Sequence, residues 1–230
     1  MKSSDYDKLA IEYATTVNTK YHNAYYERPN MLKLIGNVQN KNVLELGCGT
    51  GFYTKELVNR GANVTAVDFS EEMIKYAEKY EERATYILHD LNNDIEFNDD
   101  EFDFVFASLF IHYIKDFNKL FRNIFLLMKN GGRFLFSTHN PAEIYSIFKN
   151  NYHGVELIED KWMYGDKEYK VEYYARSFEE IITPLLNADF SLRKLIEPKS
   201  LPEFKDKDPV LFEKLQKEPG FLIIEAQKNC

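Results

Sequence analysis

At 230 residues, with 44% hydrophobic and 15% aromatic content, the chain can bury a core as one domain and is set apart from disordered sequences. A net charge of −8 and a pI near 5.3 argue against a phosphate-backbone binder, which needs a basic surface. Two cysteines, Cys48 and Cys230, make no disulfide framework. There is no apolar run of about 18 residues, and the opening MKSSDYDKLAIEYA lacks an apolar leader core, so a cytoplasmic protein without a membrane span is expected.

The segment 1–40 is helical in pattern and heavy in tyrosine: Tyr6, Tyr13, Tyr21, Tyr25 and Tyr26. Val43 to Leu46 reads as a first strand that ends at the glycine loop Gly47-Cys48-Gly49-Thr50-Gly51. Phe52 to Arg60 is the following helix, with Gly61 placed to cap it. Val64 to Val67 is a second strand ending at Asp68, and Ser70 can N-cap the next helix, with Glu71 and Glu72 at its positive end. Thr85 to Leu88 is a third strand, followed by His89-Asp90, and an acidic run (Asp94, Glu96, Asp99, Asp100, Glu101) reads as a solvated connection.

FDFVFASLF, Phe102 to Phe110, is nearly continuous in apolar character, as expected of a strand covered on both faces. Phe117, Leu120, Phe121, Ile124 and Met128 recur at helical spacing until Asn130-Gly131-Gly132 ends the helix, and Arg133 to Thr138 is a fifth strand. This strand–helix alternation implies a parallel sheet with right-handed crossovers. Asn140-Pro141 with Glu143 then starts a short helix as a capping box. From about Asn151 to Tyr174 the chain has β-rich pieces around Gly165-Asp166, a hairpin turn. Ser177 and Glu180 open a helix interrupted or bent near Pro184, and two closing strands, Ser191 to Glu197 and Phe221 to Ala226, are joined by a long polar loop, KSLPEFKDKDP.

The loop GCGTG departs from the dinucleotide fingerprint GxGxxG, because Phe52 stands where the last glycine would be. A tight strand-to-helix turn with no ligand is the plain alternative. Three acids at strand ends sharpen the reading: Glu45, Asp68 and Asp90 would all face the crevice at the carboxyl edge of a parallel sheet. Asp68 suits ribose hydroxyls, Asp90 the amino edge of an adenine, and Glu45 a cationic remainder that a phosphate could not be. An adenosine joined to a positively charged group, without phosphate, is S-adenosylmethionine.

VLELGCGTGFYT, VTAVDFSEEMI, HDL, FDFVFASLFIHYI and KNGGRFLFST, in this order, resemble successive motifs of the class I S-adenosylmethionine-dependent methyltransferases. The resemblance covers about Asn42 to Thr138. It implies a Rossmann-like, doubly wound α/β fold with a seven-stranded, mostly parallel sheet in the order 3-2-1-4-5-7-6, the last strand antiparallel. It divides the single domain into a helical lid (1–40), a cofactor-binding core (41–140), a small β-rich substrate-side insertion (141–176) and a C-terminal helix with the last two strands (177–230). It also implies that Glu45 and the loop Gly47, Cys48, Gly49 and Gly51 cradle the methionine part, that Asp68 holds the ribose, and that Phe69 and Met73 flank the adenine. Asp90 and the backbone of Leu91 would read the adenine edge, and Ser108 would lie near the methionine amino group. For Met73, core packing is the alternative, and Cys48 also fits a small buried residue.

The flanks read less sharply. Arg28, before Pro29, could pair with the methionine carboxylate or lie on the surface. Tyr145, Tyr152, Trp162, Tyr164, Tyr169, Tyr173 and Tyr174 together suggest an aromatic small-molecule pocket, and Arg176 could orient an acidic substrate there. His112 and His139 are the candidate general bases, although alignment of nucleophile and methyl can supply most of the rate without one. Strand four leads into SLFIHY, neither the Asn/Asp-Pro-Pro-Tyr nor the Pro-Cys motif of base methylation, so a nucleic-acid substrate is disfavoured, and no His/Cys spacing marks a metal. The expected function is methyl transfer to an O, N or C nucleophile of a small molecule. The rivals are an NAD-dependent oxidoreductase and a non-catalytic S-adenosylmethionine-binding protein.

Overall fold

The computed structural model describes residues 10, 12, 23–93, 97–149, 151–164 and 166–229. Tyr6, Tyr13, Tyr21, Asp94, Glu96, Gly165 and Cys230 lie outside the described residues.

Runs that are apolar without alternation become strands buried on both faces. β1 (Asn42–Leu46), β2 (Asn63–Asp68), β3 (Thr85–Leu88), β4 (Phe102–Ala107) and β5 (Met128–His139) pair in parallel, β1 lying between β2 and β4. β8 (Phe190–Ile196) and β9 (Phe221–Lys228) complete the sheet in the order β3-β2-β1-β4-β5-β9-β8, with β9 antiparallel to both neighbours. β6 (Glu156–Tyr164) and β7 (Lys167–Ala175) form a separate antiparallel hairpin, so the last two sheet strands are sixth and seventh within the sheet and the expected order holds.

Helices cover both faces. α1 (Arg28–Ile35), α2 (Phe52–Asn59) and α3 (Glu71–Tyr80) bury Met31, Ile35, Leu57 and Ile74 against one side, together with Phe104 and Phe106. α4 (Phe117–Leu127), α5 (Pro141–Phe148) and α6 (Phe178–Asn187) bury Phe121, Ile144 and Leu185 against the other, with Phe134 and Phe136. Burying side chains of this size contributes roughly 2 kcal/mol each, the term that sets which face of each helix turns inward. Ser70 caps α3 by accepting from Met73 N, as its sequence position predicts.

The structure departs from the sequence reading at five places. β4 stops at Ala107 instead of Phe110, because Leu109 adopts φ 47° and its N–H goes to Ser137 Oγ; Ile111–Tyr113 then form a 3-10 turn. Gly131 (φ 76°) and Gly132 lie inside β5 and not at a helix end, since the sheet pairing reaches back to Met128 opposite Phe102. Glu143 is no capping-box residue: the Asn140 N–H it would accept from goes to Gly220 O, and Asn140 Oδ1 caps the helix at Ala142 N. α6 continues through Pro184 to Asn187. The polar loop after β8 holds a 3-10 turn (Pro202–Asp206) and α7 (Pro209–Lys217), capped by Asp208 and anchored by buried Phe204 and Leu215, which pack with Tyr26 and Phe221.

Candidate active site

The carboxyl ends of β1, β2 and β4 open onto one side of the sheet, and the glycine loop crosses there. Its backbone is tied down: Gly47 N and Cys48 N both donate to Val67 O, and Gly51 N to Cys48 O. Gly47, Gly49 and Gly51 have φ of 70°, 52° and 85°, the region where only glycine is unstrained. Two of them are also required by the protein itself. A Cβ on Gly47 would lie 2.3 Å from the Phe110 ring, and one on Gly51 would lie 3.0 Å from Ala77 Cα of α3.

Asp68, at the end of β2, holds the loop from the other side. Its Oδ2 accepts from Gly49 N at 2.8 Å and its Oδ1 from Ser70 N at 3.0 Å. Glu45 points beneath the loop, 2% exposed, where Thr54 Oγ1 donates to its Oε2 at 2.6 Å. Burial lifts its carboxyl to about 8, with Thr54 opposing the shift and Asp68 adding to it. Cys48 is buried and burial raises its thiol, which keeps it unreactive.

Sequence reasoning missed Glu27, buried in a π-helical turn (Asn23–Glu27) ahead of α1. Its carboxylate accepts from Tyr53 OH (2.7 Å), Ser108 Oγ (2.8 Å) and Ser137 Oγ (2.6 Å), so one side chain joins the N-terminal segment to α2, the end of β4 and β5. Burial raises this carboxyl, and the three hydroxyls hold it back. No spacing in the sequence marks Glu27, since its donors lie 26, 81 and 110 residues away.

One cavity of about 420 Å³ runs from this loop to the hairpin. Gly47, Gly49, Asp68, Phe69, Met73 and Ser108 line one end. His112, His139, Phe148, Trp162, Tyr173 and Phe221 line the other, with the carboxylates of Glu143 and Asp160. Of the sequence-predicted residues, Arg28, Glu45, Cys48, Gly51, Asp90 and Leu91 are not in its wall, nor are Tyr145, Tyr152, Tyr164, Tyr169 and Tyr174 of the expected aromatic set. Arg28 is 7% exposed, its guanidinium 3.5 Å above the Phe52 ring, which replaces the surface alternative with a packed one. Asp90 Oδ1 accepts from both nitrogens of Asn92. Arg176 is a correction: its guanidinium donates to Ile114 O and Lys115 O and covers the Phe117 ring at 3.8 Å, so it orients backbone and no acidic substrate.

The two candidate bases touch. His112 and His139 stack with centroids 4.1 Å apart, and His139 meets the Tyr173 ring edge-on at 4.6 Å. Burial lowers His139 to about 4, against the pull of Asp160, and lowers His112 well below its ordinary value, helped by His139 and Arg176. Both rings are therefore neutral at pH 7, with His139 Nδ1 buried and lacking a hydrogen-bond partner.

Comparison with known proteins places this geometry. Residues 44–136 match the family model described as "Methyltransferase domain". A solved structure from Listeria monocytogenes, described as a candidate S-adenosylmethionine-dependent methyltransferase, superposes with a TM-score of 0.74 at 25% identity, covering 89% of this chain and 97% of that one. An uncharacterized protein of Haemophilus influenzae is 27% identical, over 90% of this chain and 88% of its own length. The malonyl-[acyl-carrier protein] O-methyltransferase of Buchnera aphidicola is 33% identical over 52% of this chain, which spans about half (48%) of that enzyme. Residues 44–136 thus carry a methyltransferase domain whose sheet order, glycine loop and strand-end acids are of the class I S-adenosylmethionine-dependent type, and S-adenosylmethionine is its cofactor.

Proposed function

We propose that the protein transfers the S-adenosylmethionine methyl group to an O, N or C nucleophile of a small molecule held at the hairpin end of the cavity. The observation that carries this is the continuity of the cavity between the glycine loop and the aromatic wall. An acceptor and a cofactor bound at its two ends would meet without solvent between them.

The residues at the loop end fit the cofactor. Asp68 offers its carboxylate to the ribose hydroxyls from a position fixed by two backbone N–H groups. Phe69 and Met73 offer apolar walls for an adenine, and Asp90 with the backbone of Leu91 would read its edge. The Ser108 hydroxyl donates to Glu27 and so turns its lone pairs to an ammonium. Gly47 and Gly49 keep backbone close to the methionine part, while Glu45, bonded to Thr54, would support the loop. Cys48 and Gly51 shape the turn. Arg28, stacked on Phe52, would approach the methionine carboxylate, with residues 1–40 serving as a lid. When bound, the cofactor supplies a methyl group on a sulfonium, a leaving group that needs no acid. The chain binds, aligns and excludes water. His112 or His139, neutral at pH 7, would accept a proton from the nucleophile where one must leave.

Asn23 and the Glu27 node bring the N-terminal segment to the cavity rim, and the Glu12 carboxylate pairs with Lys167 of the hairpin, which supports the lid reading. No described helix is long and apolar enough to cross a membrane. The free Cys48 thiol agrees with a cytoplasmic setting.

Calorimetric titration with S-adenosylmethionine, S-adenosylhomocysteine and NAD in parallel tests the reading. The expected outcome is micromolar binding of both adenosyl ligands and none of NAD. Asp68→Ala should weaken adenosyl binding by about 100-fold, the cost of two charge-assisted hydrogen bonds. Binding of NAD alone would establish the oxidoreductase instead, and adenosyl binding with no methyl transfer to any acceptor the non-catalytic binder.

A further inference from the structure

The hairpin end of the cavity has a definite electrical character. Glu143, Asp160 and, toward the loop, Asp68 line it, and no lysine or arginine does among the described residues. Arg176 stands behind the wall, bound to the carbonyls of Ile114 and Lys115, and its charge is felt at His112. A carboxylate or phosphate brought into this space would meet like charges in a partly desolvated site, which disfavours both.

The two acids are held differently. Asp160 is fixed: its Oδ2 accepts from Trp162 Nε1 at 3.1 Å and from Tyr173 OH at 3.3 Å, and its Oδ1 from Lys161 N at 2.7 Å. Glu143 is not. It projects from the first turn of α5 toward Gly220, where an added Cβ would lie 3.0 Å from its Oε2, and no described group donates a hydrogen bond to it. Burial raises its carboxyl, with Lys214 opposing and Glu218 adding to the shift. Trp162 and Tyr173, whose ring faces attract cations, line the same cavity and hold Asp160.

We infer that the methyl acceptor is a small amine, received as its ammonium by Glu143, with Asp160 and the rings of Trp162 and Tyr173 completing the seat. This rests on the methyltransferase reading above and names the acceptor class for the same cavity. The reaction balances without a further reactant. The ammonium gives one proton to the Glu143 carboxylate, which its raised affinity for protons suits. The freed nitrogen lone pair forms the new N–C bond as the C–S bond breaks, and that bond's electron pair stays on sulfur. The product is an N-methyl ammonium and a neutral thioether, and Glu143 returns its proton to water.

Trp162 is the chain's only tryptophan, so intrinsic fluorescence reports from inside this seat. The protein, saturated with S-adenosylhomocysteine, would be titrated with phenethylamine, phenethyl alcohol and phenylacetate, which share a ring and differ in the charge at one end. The amine is expected to bind about ten-fold more tightly than the alcohol, with phenylacetate weakest, the size of one charge-assisted hydrogen bond. Glu143→Gln should bring amine and alcohol to within about two-fold, and Asp160→Asn should narrow the gap by a smaller factor. Equal or tighter binding of the alcohol or the carboxylate overturns the amine assignment, as does an undiminished preference in Glu143→Gln. Absence of amine binding overturns it too. S-adenosylhomocysteine saturation, measured first on each variant, shows that the variant is folded. Failure of the wild-type chain to bind S-adenosylhomocysteine would sink the methyltransferase reading itself, an outcome distinct from the failure of the amine.

Discussion

The two ends of the cavity are built by different means. The loop end is mostly backbone: three glycines, a carbonyl at Val67 and the amides of Gly49 and Ser70 set the positions, and Asp68 is fixed by them. Apart from Ser108, its parts come from a stretch of fewer than thirty residues, Glu45 to Met73. The hairpin end is mostly side chain: His112, His139, Glu143, Asp160, Tyr173 and Phe221 come from six separate segments. A backbone-built site tolerates little change, because each position carries a conformation as well as a contact. A site built from side chains can change its ligand by changing residues one at a time, without disturbing the sheet.

If that contrast holds, the largest effect belongs to Gly47→Ala. The new methyl would meet the Phe110 ring and force a residue with φ 70° into strain, so a loss of about 3 kcal/mol is expected in denaturant unfolding. A loss below about 0.5 kcal/mol would mean that the loop relaxes freely and the contrast fails.

The histidine pair sharpens the comparison at the other end. His139 folds with its proton affinity lowered to about 4, so its contribution is complete above pH 6.5 and lost as pH falls toward 4. His112 is lowered too and acts in the same direction. Unfolding free energy should therefore drop by roughly 3 kcal/mol across that window, and His139→Phe, which keeps a ring against His112, should flatten the limb. An unchanged limb in the variant would move the acid sensitivity away from the cavity.

Glu45 gives the smallest effect and the opposite sign. Its carboxyl is raised to about 8, so its contribution is present below pH 4.5 and lost as pH rises through 8. At pH 7 the ligand-free fold already bears part of that loss. Glu45→Gln, which keeps an acceptor for Thr54, should stabilise it by about 1 kcal/mol in thermal unfolding at pH 7. Destabilisation of similar size would show that the charge itself holds the loop.

The sequence by itself determined the parallel strands, the glycine loop, and the acids at the ends of β1 and β2, while the strand order followed only from the family resemblance. These depend on local rules: apolar runs that can be buried only as central strands, and glycines that alone accept positive φ. Even here, it was the packing of Phe110 and Ala77 that explained two of the three glycines. Only the tertiary structure decided that Glu27 gathers three hydroxyls, that Glu45 turns under the loop, and that Arg176 is held by carbonyls. It alone replaced the capping role of Glu143 with a place in the cavity, and turned KDKDP into the entrance of α7. A side chain's partner is set by whichever distant segment packs beside it, and no spacing along the chain encodes that distance.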